Sequence, residues 1–176
     1  EMDIPPLPLD AEQTANLIEL LKKDHKESDF LLNLLKERVP AGVDDAAYVK
    51  AGFLSDLTKG KTNSPYISRE DAVEILGTML GGYNIQPLID CLAIDGLADD
   101  AADALSNTLL IFDAFNDIFE LSKNNVHAKR VIESWANGEW FTNKSEVPES
   151  IKLTVFKVPG EINTDDLSPA PDAWSR

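Results

Sequence analysis

The feature that most constrains this chain is a run of short apolar stripes at helical spacing, with capping residues before them and glycine or proline after them. Asp10 with Gln13 three residues on makes a capping-box start, and Thr14, Leu17, Ile18 and Leu21 then share a face. Ser28 is placed to cap a second helix bearing Leu31, Leu32, Leu34 and Leu35, which stops near Pro40-Ala41-Gly42. Asp44 or Asp45 opens a third, with Val49, Phe53 and Leu57 in line and Lys59-Gly60 closing it. Ser68 with Asp71 opens a fourth, carrying Val73, Ile75, Leu76 and Met79 and ended by Gly81-Gly82. Asn84 starts a fifth with Ile85, Leu88, Ile89 and Leu92; its Pro87 falls in the first turn, where a missing N–H does little harm. Further stripes comprise Ala102, Leu105, Ser106, Leu109 and Leu110, then Phe115, Ile118 and Phe119, then Val126, Val131, Ile132 and Trp135. From Asp10 to about Trp140 the pattern is helix after helix. Short helices with short joints predict a mainly α fold of stacked antiparallel pairs, an α-solenoid whose repeat is degenerate in sequence.

The period changes after the helical stretch. Residues 145–150 are polar, contain Pro148 and read as a linker between a helical domain over 1–144 and a second unit over 151–176. Ile151 to Val158 is β-branched and apolar, with Ile151, Leu153 and Val155 on one side, which predicts a strand. A strand is not stable alone, so its sheet partners are expected beyond Arg176 and the chain is expected to be a piece of something longer. The Glu1-Met2 start carries the same expectation for the other end.

Composition narrows the function classes. A chain of 176 residues with a 43% hydrophobic share suits one ordinary domain with a small attachment. The formal charge of −15 repels phosphate backbones, which makes wholesale nucleic-acid binding a poor first reading. No apolar run approaches the roughly 18–20 residues of a membrane span, and the start lacks the basic and apolar regions of a secretory signal. Cys91, the single cysteine, makes no internal disulfide and builds no zinc or iron–sulfur site by itself; it fits a reducing cytoplasm.

Nothing in the helical stretch has catalytic spacing. His25 sits among Lys22, Lys23, Asp24 and Lys26 as a solvated residue, and His127 is similarly bland. Neither is spaced from a second His or Cys as a metal ligand would be. Cys91 reads as a small core residue, Gly81-Gly82 as a helix stop rather than a phosphate loop, and Trp135, Trp140 and Phe141 as packing anchors. The tail differs. Glu161 to Ala170 follows the strand with three acids, two hydroxyls and a proline, which reads equally as a specific functional loop or an ordinary Asx-rich turn. Arg176 stands two residues from Trp174 and is of the type suited to bidentate carboxylate capture, although terminal arginines are mostly solvent-exposed.

Asn163-Thr164-Asp165-Asp166-Leu167-Ser168-Pro169-Ala170 resembles the signature loop of the mobile swivel domain in aconitases and isopropylmalate isomerases. The run from Val155 through Arg176 is closer to the B-type aconitate hydratases, as are Val43 to Leu54 and Leu76 to Ile85. The likeness extends from about Leu7 to Arg176, and a swivel segment following an N-terminal helical domain is the B-type order. The resemblance implies a HEAT-like helical domain followed by the first strand and loop of an α/β swivel domain. It implies a full-length, cytoplasmic enzyme interconverting citrate and isocitrate through cis-aconitate, with 2-methylisocitrate as a further substrate. A [4Fe-4S] cluster held by cysteines downstream of this chain is also implied. Arg176 is carried over as a substrate-carboxylate ligand; no residue here is assigned a catalytic or metal-ligating role, and this chain alone is expected to be inactive. For the helical domain the resemblance implies homodimerisation, protein contact and substrate gating, with mRNA binding by the apo full-length protein as the alternative role.

Overall fold

A computed structural model describes residues 7–108, 114–143, 148–155 and 160. The described fold is helical: α1 (Ala11–Leu21), α2 (Ser28–Asn33), α3 (Asp45–Thr58), α4 (Arg69–Gly77), α5 (Ile85–Cys91), α6 (Ala98–Ser106), α7 (Phe115–Ser122), α8 (Val126–Asn137) and α9 (Glu139–Thr142). A wide π-helical turn, Leu34–Arg38, continues α2. The principal contacts step along the chain from α1 to α3, α4, α6 and α8. The other helices flank this row: α2 lies against α1, α5 against α4 and α6, and α7 against α8. Each helix therefore covers its neighbour's apolar stripe, and the buried residues from Leu17 to Val131 join into one core.

The strongest local signals act as the sequence predicts. Asp10 accepts from the Gln13 N–H at 2.8 Å while the Gln13 side chain accepts from the Asp10 N–H at 3.1 Å. Ser68 and Asp71 form the same reciprocal box at 3.0 and 2.9 Å. Each box satisfies two backbone donors that a helix start otherwise leaves open. Thr14, Leu17, Ile18 and Leu21 are the buried face of α1, and Val73, Ile75 and Leu76 that of α4.

Elsewhere tertiary bonds override the local reading. Ser28 is the first residue of α2 rather than its cap, and Glu27 precedes it without a side-chain bond. The cause lies in the preceding turn, where the His25 ring accepts from the Glu27 N–H and the Tyr66 hydroxyl bonds both Asp24 and the His25 backbone. Helix α4 ends at Gly77 with Thr78 as its cap, ahead of Gly81-Gly82. The Asn84 amide donates to the Leu76 carbonyl in the last turn of α4 at 2.9 Å and to the Met79 carbonyl just beyond it at 3.1 Å. Asn84 stands at the N-cap of α5, where the sequence places it, and its carbonyl accepts from the Leu88 N–H at 3.0 Å, while its side chain turns back to close α4.

The C-terminal helices carry further corrections. Val126 is 72% exposed because it occupies the first position of α8, where Asn125 caps the helix and Ala128 and Val131 turn inward. Phe115 and Phe119 are about half-exposed, leaving Ile118 as the buried residue of α7. Trp135 is an anchor, its indole donating to the Leu105 carbonyl at 3.0 Å, whereas Phe141 is exposed on the short α9, edge-on to Trp140 with centroids 5.7 Å apart. Leu109 and Leu110 lie outside the described residues. Ile151–Val155 form no ladder among the described residues, and their apolar side chains stand in solvent; the rest of the expected strand lies outside them.

Candidate functional site

An exposed apolar feature of the described surface is built from two loops and one helix. Loop 41–43 joins the π turn to α3, and loop 80–83 joins α4 to α5. The Leu80 N–H donates to the Ala41 carbonyl at 2.7 Å, and the Tyr83 hydroxyl donates to the Val43 carbonyl at 3.1 Å. Gly81 lies so close to Gly42 that a Cβ there would overlap the Gly42 carbonyl. Tyr48 of α3 meets the Tyr83 ring edge-on with centroids 5.3 Å apart. Held in this frame, Val43, Tyr48 and Leu80 are 73%, 64% and 87% exposed.

Two other surfaces differ in character. A groove of about 490 Å³ between α4 and α6 is lined by Glu70, Asp71, Glu74, Asp100 and Asp103. Asp71 is held in the α4 capping box and Asp103 is paired with Arg130, and the groove reads as a solvated acidic face. Between α6 and α8, Arg130 bridges Asp99 at 3.1 Å and Asp103 at 2.6 Å, while the His127 ring meets Asp99 at 3.1 Å. This places His127 in a helix-joining ion-pair cluster; His25, in contrast, is exposed and joined to a turn.

The core holds two titratable side chains of note. Cys91 is fully buried, and burial pushes its thiol above the usual range, as expected of an inert core cysteine. Lys50 is 1% exposed on α3, and burial lowers its ammonium pKa from 10.5 to about 8, with Glu37 opposing and Lys36 adding to the shift. A lysine in a row of Ala46, Ala47, Ala51 and Leu54 gives no sequence sign of full burial, so composition and periodicity pass over it. Arg176 lies outside the described residues. Among the described residues no group of His, Cys, Asp and Glu could hold a metal ion, and no helix is long and apolar enough to cross a membrane.

The described residues form a row of helices with exposed apolar side chains beside loops 41–43 and 80–83, which defines a helical domain. The chain belongs to the family described as the aconitate B N-terminal domain, whose model matches residues 1–141. A second family, described as the aconitate hydratase 2 N-terminus, matches residues 153–176. Aconitate hydratase B of Pseudomonas aeruginosa is 61% identical over 173 residues, covering 97% of this chain and 20% of the relative. Its counterpart in Escherichia coli (strain K12) is 59% identical over 175 residues, and that of Helicobacter pylori 50% identical over 175, each covering 98% of this chain and 20% of the relative. The chain thus spans about a fifth of the length of the curated relatives it matches.

Proposed function

We propose that this chain is the N-terminal contact module of an aconitate hydratase that interconverts citrate and isocitrate through cis-aconitate, with 2-methylisocitrate as a second substrate. The observation that carries the reading is identity of 50–61% to proteins named aconitate hydratase B across nearly the whole chain. On this reading residues 1–144 are a HEAT-like domain, 145–150 a linker and 151–176 the opening of a swivel domain. The module's work is protein contact, including homodimerisation, and substrate gating in a cytoplasmic enzyme.

The residues present do not fit the iron–sulfur group this activity implies. A cluster takes three or four thiolates, and Cys91 is a single thiol buried in the core. The cluster and its ligands are accordingly assigned to downstream residues, and no chemical step is routed through this chain. A second role in mRNA binding finds no support on the described surface: the formal charge is −15, and Lys22, Lys59, Lys123, Lys129 and Arg130 are each paired with an acid.

The test compares iron-replete full-length protein with the 176-residue chain for turnover of citrate, isocitrate and 2-methylisocitrate. The full-length protein turns all three over and the short chain none. A cluster-loaded full-length protein inert toward citrate, or turnover by the short chain, overturns the assignment. Light scattering of the full-length protein checks the dimer, which a mass of one chain would exclude.

A further inference from the structure

We propose that the cleft lined by α6, α8 and α9 is a binding site for a small primary amine in its ammonium form, held by Asp103, Glu139 and the Trp140 indole. The proposal does not depend on the hydratase reading.

The cleft exists because the chain reverses at Gly138. Its φ of 65° is left-handed backbone that favours glycine, and the residue ends α8 and starts α9 at once. Glu139 and Trp140 of α9 thereby line, with Arg130 and Ser134 of α8 and Asp103 of α6, one cavity of about 340 Å³. That volume lies in the range of small-ligand sites, roughly 300–1,000 Å³.

The lining selects the chemistry of the ligand. Ser134 is 4% exposed and lines the cavity, and its hydroxyl has no hydrogen-bond partner among the described residues. A buried polar group of this kind is normally matched. Asn107 donates its amide N–H to the Asp103 carbonyl at 2.9 Å, which leaves its side-chain oxygen as an acceptor. Arg130, the cation on the lining, is already engaged. Its guanidinium donates to the Asp99 carboxylate at 3.1 Å, the Asp99 carbonyl at 2.8 Å and the Asp103 carboxylate at 2.6 Å. Glu139 is half-buried and forms no ion pair among the described residues. Acceptors are therefore in surplus, and the two lining carboxylates outweigh one guanidinium, so an anion meets net repulsion. An ammonium brings three donors and a positive charge. The Trp140 indole, held edge-on by Phe141, attracts such a cation through its π system.

Calorimetric titration with 1,4-diaminobutane, and with the neutral 1,4-butanediol, tests this in the 176-residue chain and in the longer protein. The diamine is expected to bind one Glu139-dependent site in both, with a Kd of about 0.1–1 mM, and the diol is expected not to bind. Glu139→Gln should weaken binding about tenfold and Trp140→Leu about threefold or more. Both residues lie outside the core, so the variants keep the fold, which circular dichroism melts check. Glu70→Gln combined with Glu74→Gln, in the groove between α4 and α6, removes two charges elsewhere and should leave binding unchanged. Equal weakening by that control means diffuse attraction to a surface of charge −15 and overturns the site. A diol that binds as well as the diamine overturns the ammonium assignment. Absence of binding to the short chain overturns the proposal, and so does binding that vanishes in the longer protein, where a lysine side chain or another segment then fills the cleft.

Discussion

At the residue scale, Lys50 shows how burial turns one side chain into a pH-dependent stability term. Burial lowers its pKa in the folded protein to about 8 from the ordinary lysine value of 10.5, so between those values the unfolded chain holds a proton that the folded protein has released. Stability from this group therefore rises with pH through that window; below pH 8 the fold carries the cost of a buried ammonium. Cys91 and Tyr66 act oppositely, because burial raises both and the unfolded state loses those protons first. Lys50→Met isolates the lysine contribution. Its stability advantage over wild type should shrink by roughly 2–3 kcal/mol between pH 7.5 and 10 in urea denaturation; a pH-independent difference would show that Lys50 titrates normally. Arg176 makes a separate claim on the full-length enzyme. Citrate is trianionic near neutral pH, and a planar guanidinium offers one of its carboxylates two parallel N–H donors, whereas lysine offers a point charge. Arg176→Ala should cost about 2–4 kcal/mol, roughly 30- to 1000-fold in kcat/KM for citrate, with Arg176→Lys a partial rescue. A specificity constant within about threefold of wild type at unchanged cluster content would remove the residue from the site.

At the element scale, the helix starts divide into those made by their own side chains and those imposed by neighbours. Asp10 and Ser68 each satisfy a backbone donor and sit in reciprocal boxes, and in the second the Ser68 bonds hold the Asp71 carboxyl below its usual range. Ser28 makes no such bond. Asp10→Ala and Ser68→Ala should therefore each lose about 1 kcal/mol in thermal or denaturant melts, while Ser28→Ala changes stability by less than about half that. Equal losses at all three positions would contradict the assigned caps. The boxes are legible in the sequence because they close within three residues. The α2 start and the α4 stop are not, because Tyr66 reaches back some forty residues to the Asp24–His25 turn, and Asn84 turns from the helix it precedes to the one before it.

For the whole molecule, stability should reside in the helical row. Among the described residues its core runs from Leu17 to Val131, while Ile151, Leu153 and Val155 are largely exposed. A chain ending at Asn143 should melt cooperatively by circular dichroism, at a temperature close to that of the 176-residue chain. A broad, non-cooperative melt would mean the tail completes the core. The sequence alone determined the helical class, most of the buried stripes, the two capping boxes and the inert character of Cys91, because each depends on spacings of three or four residues or on one side chain's chemistry. Motif likeness placed the chain among the B-type aconitate hydratases, and the family matches bear this out. Tertiary structure alone decided that Lys50 is buried, that Val126 and Phe141 face solvent, and that Leu80 meets Ala41 across nearly forty residues to raise a fixed apolar face. Those outcomes depend on which distant neighbour arrives to cover a side chain or accept a hydrogen bond, and no local period records that meeting.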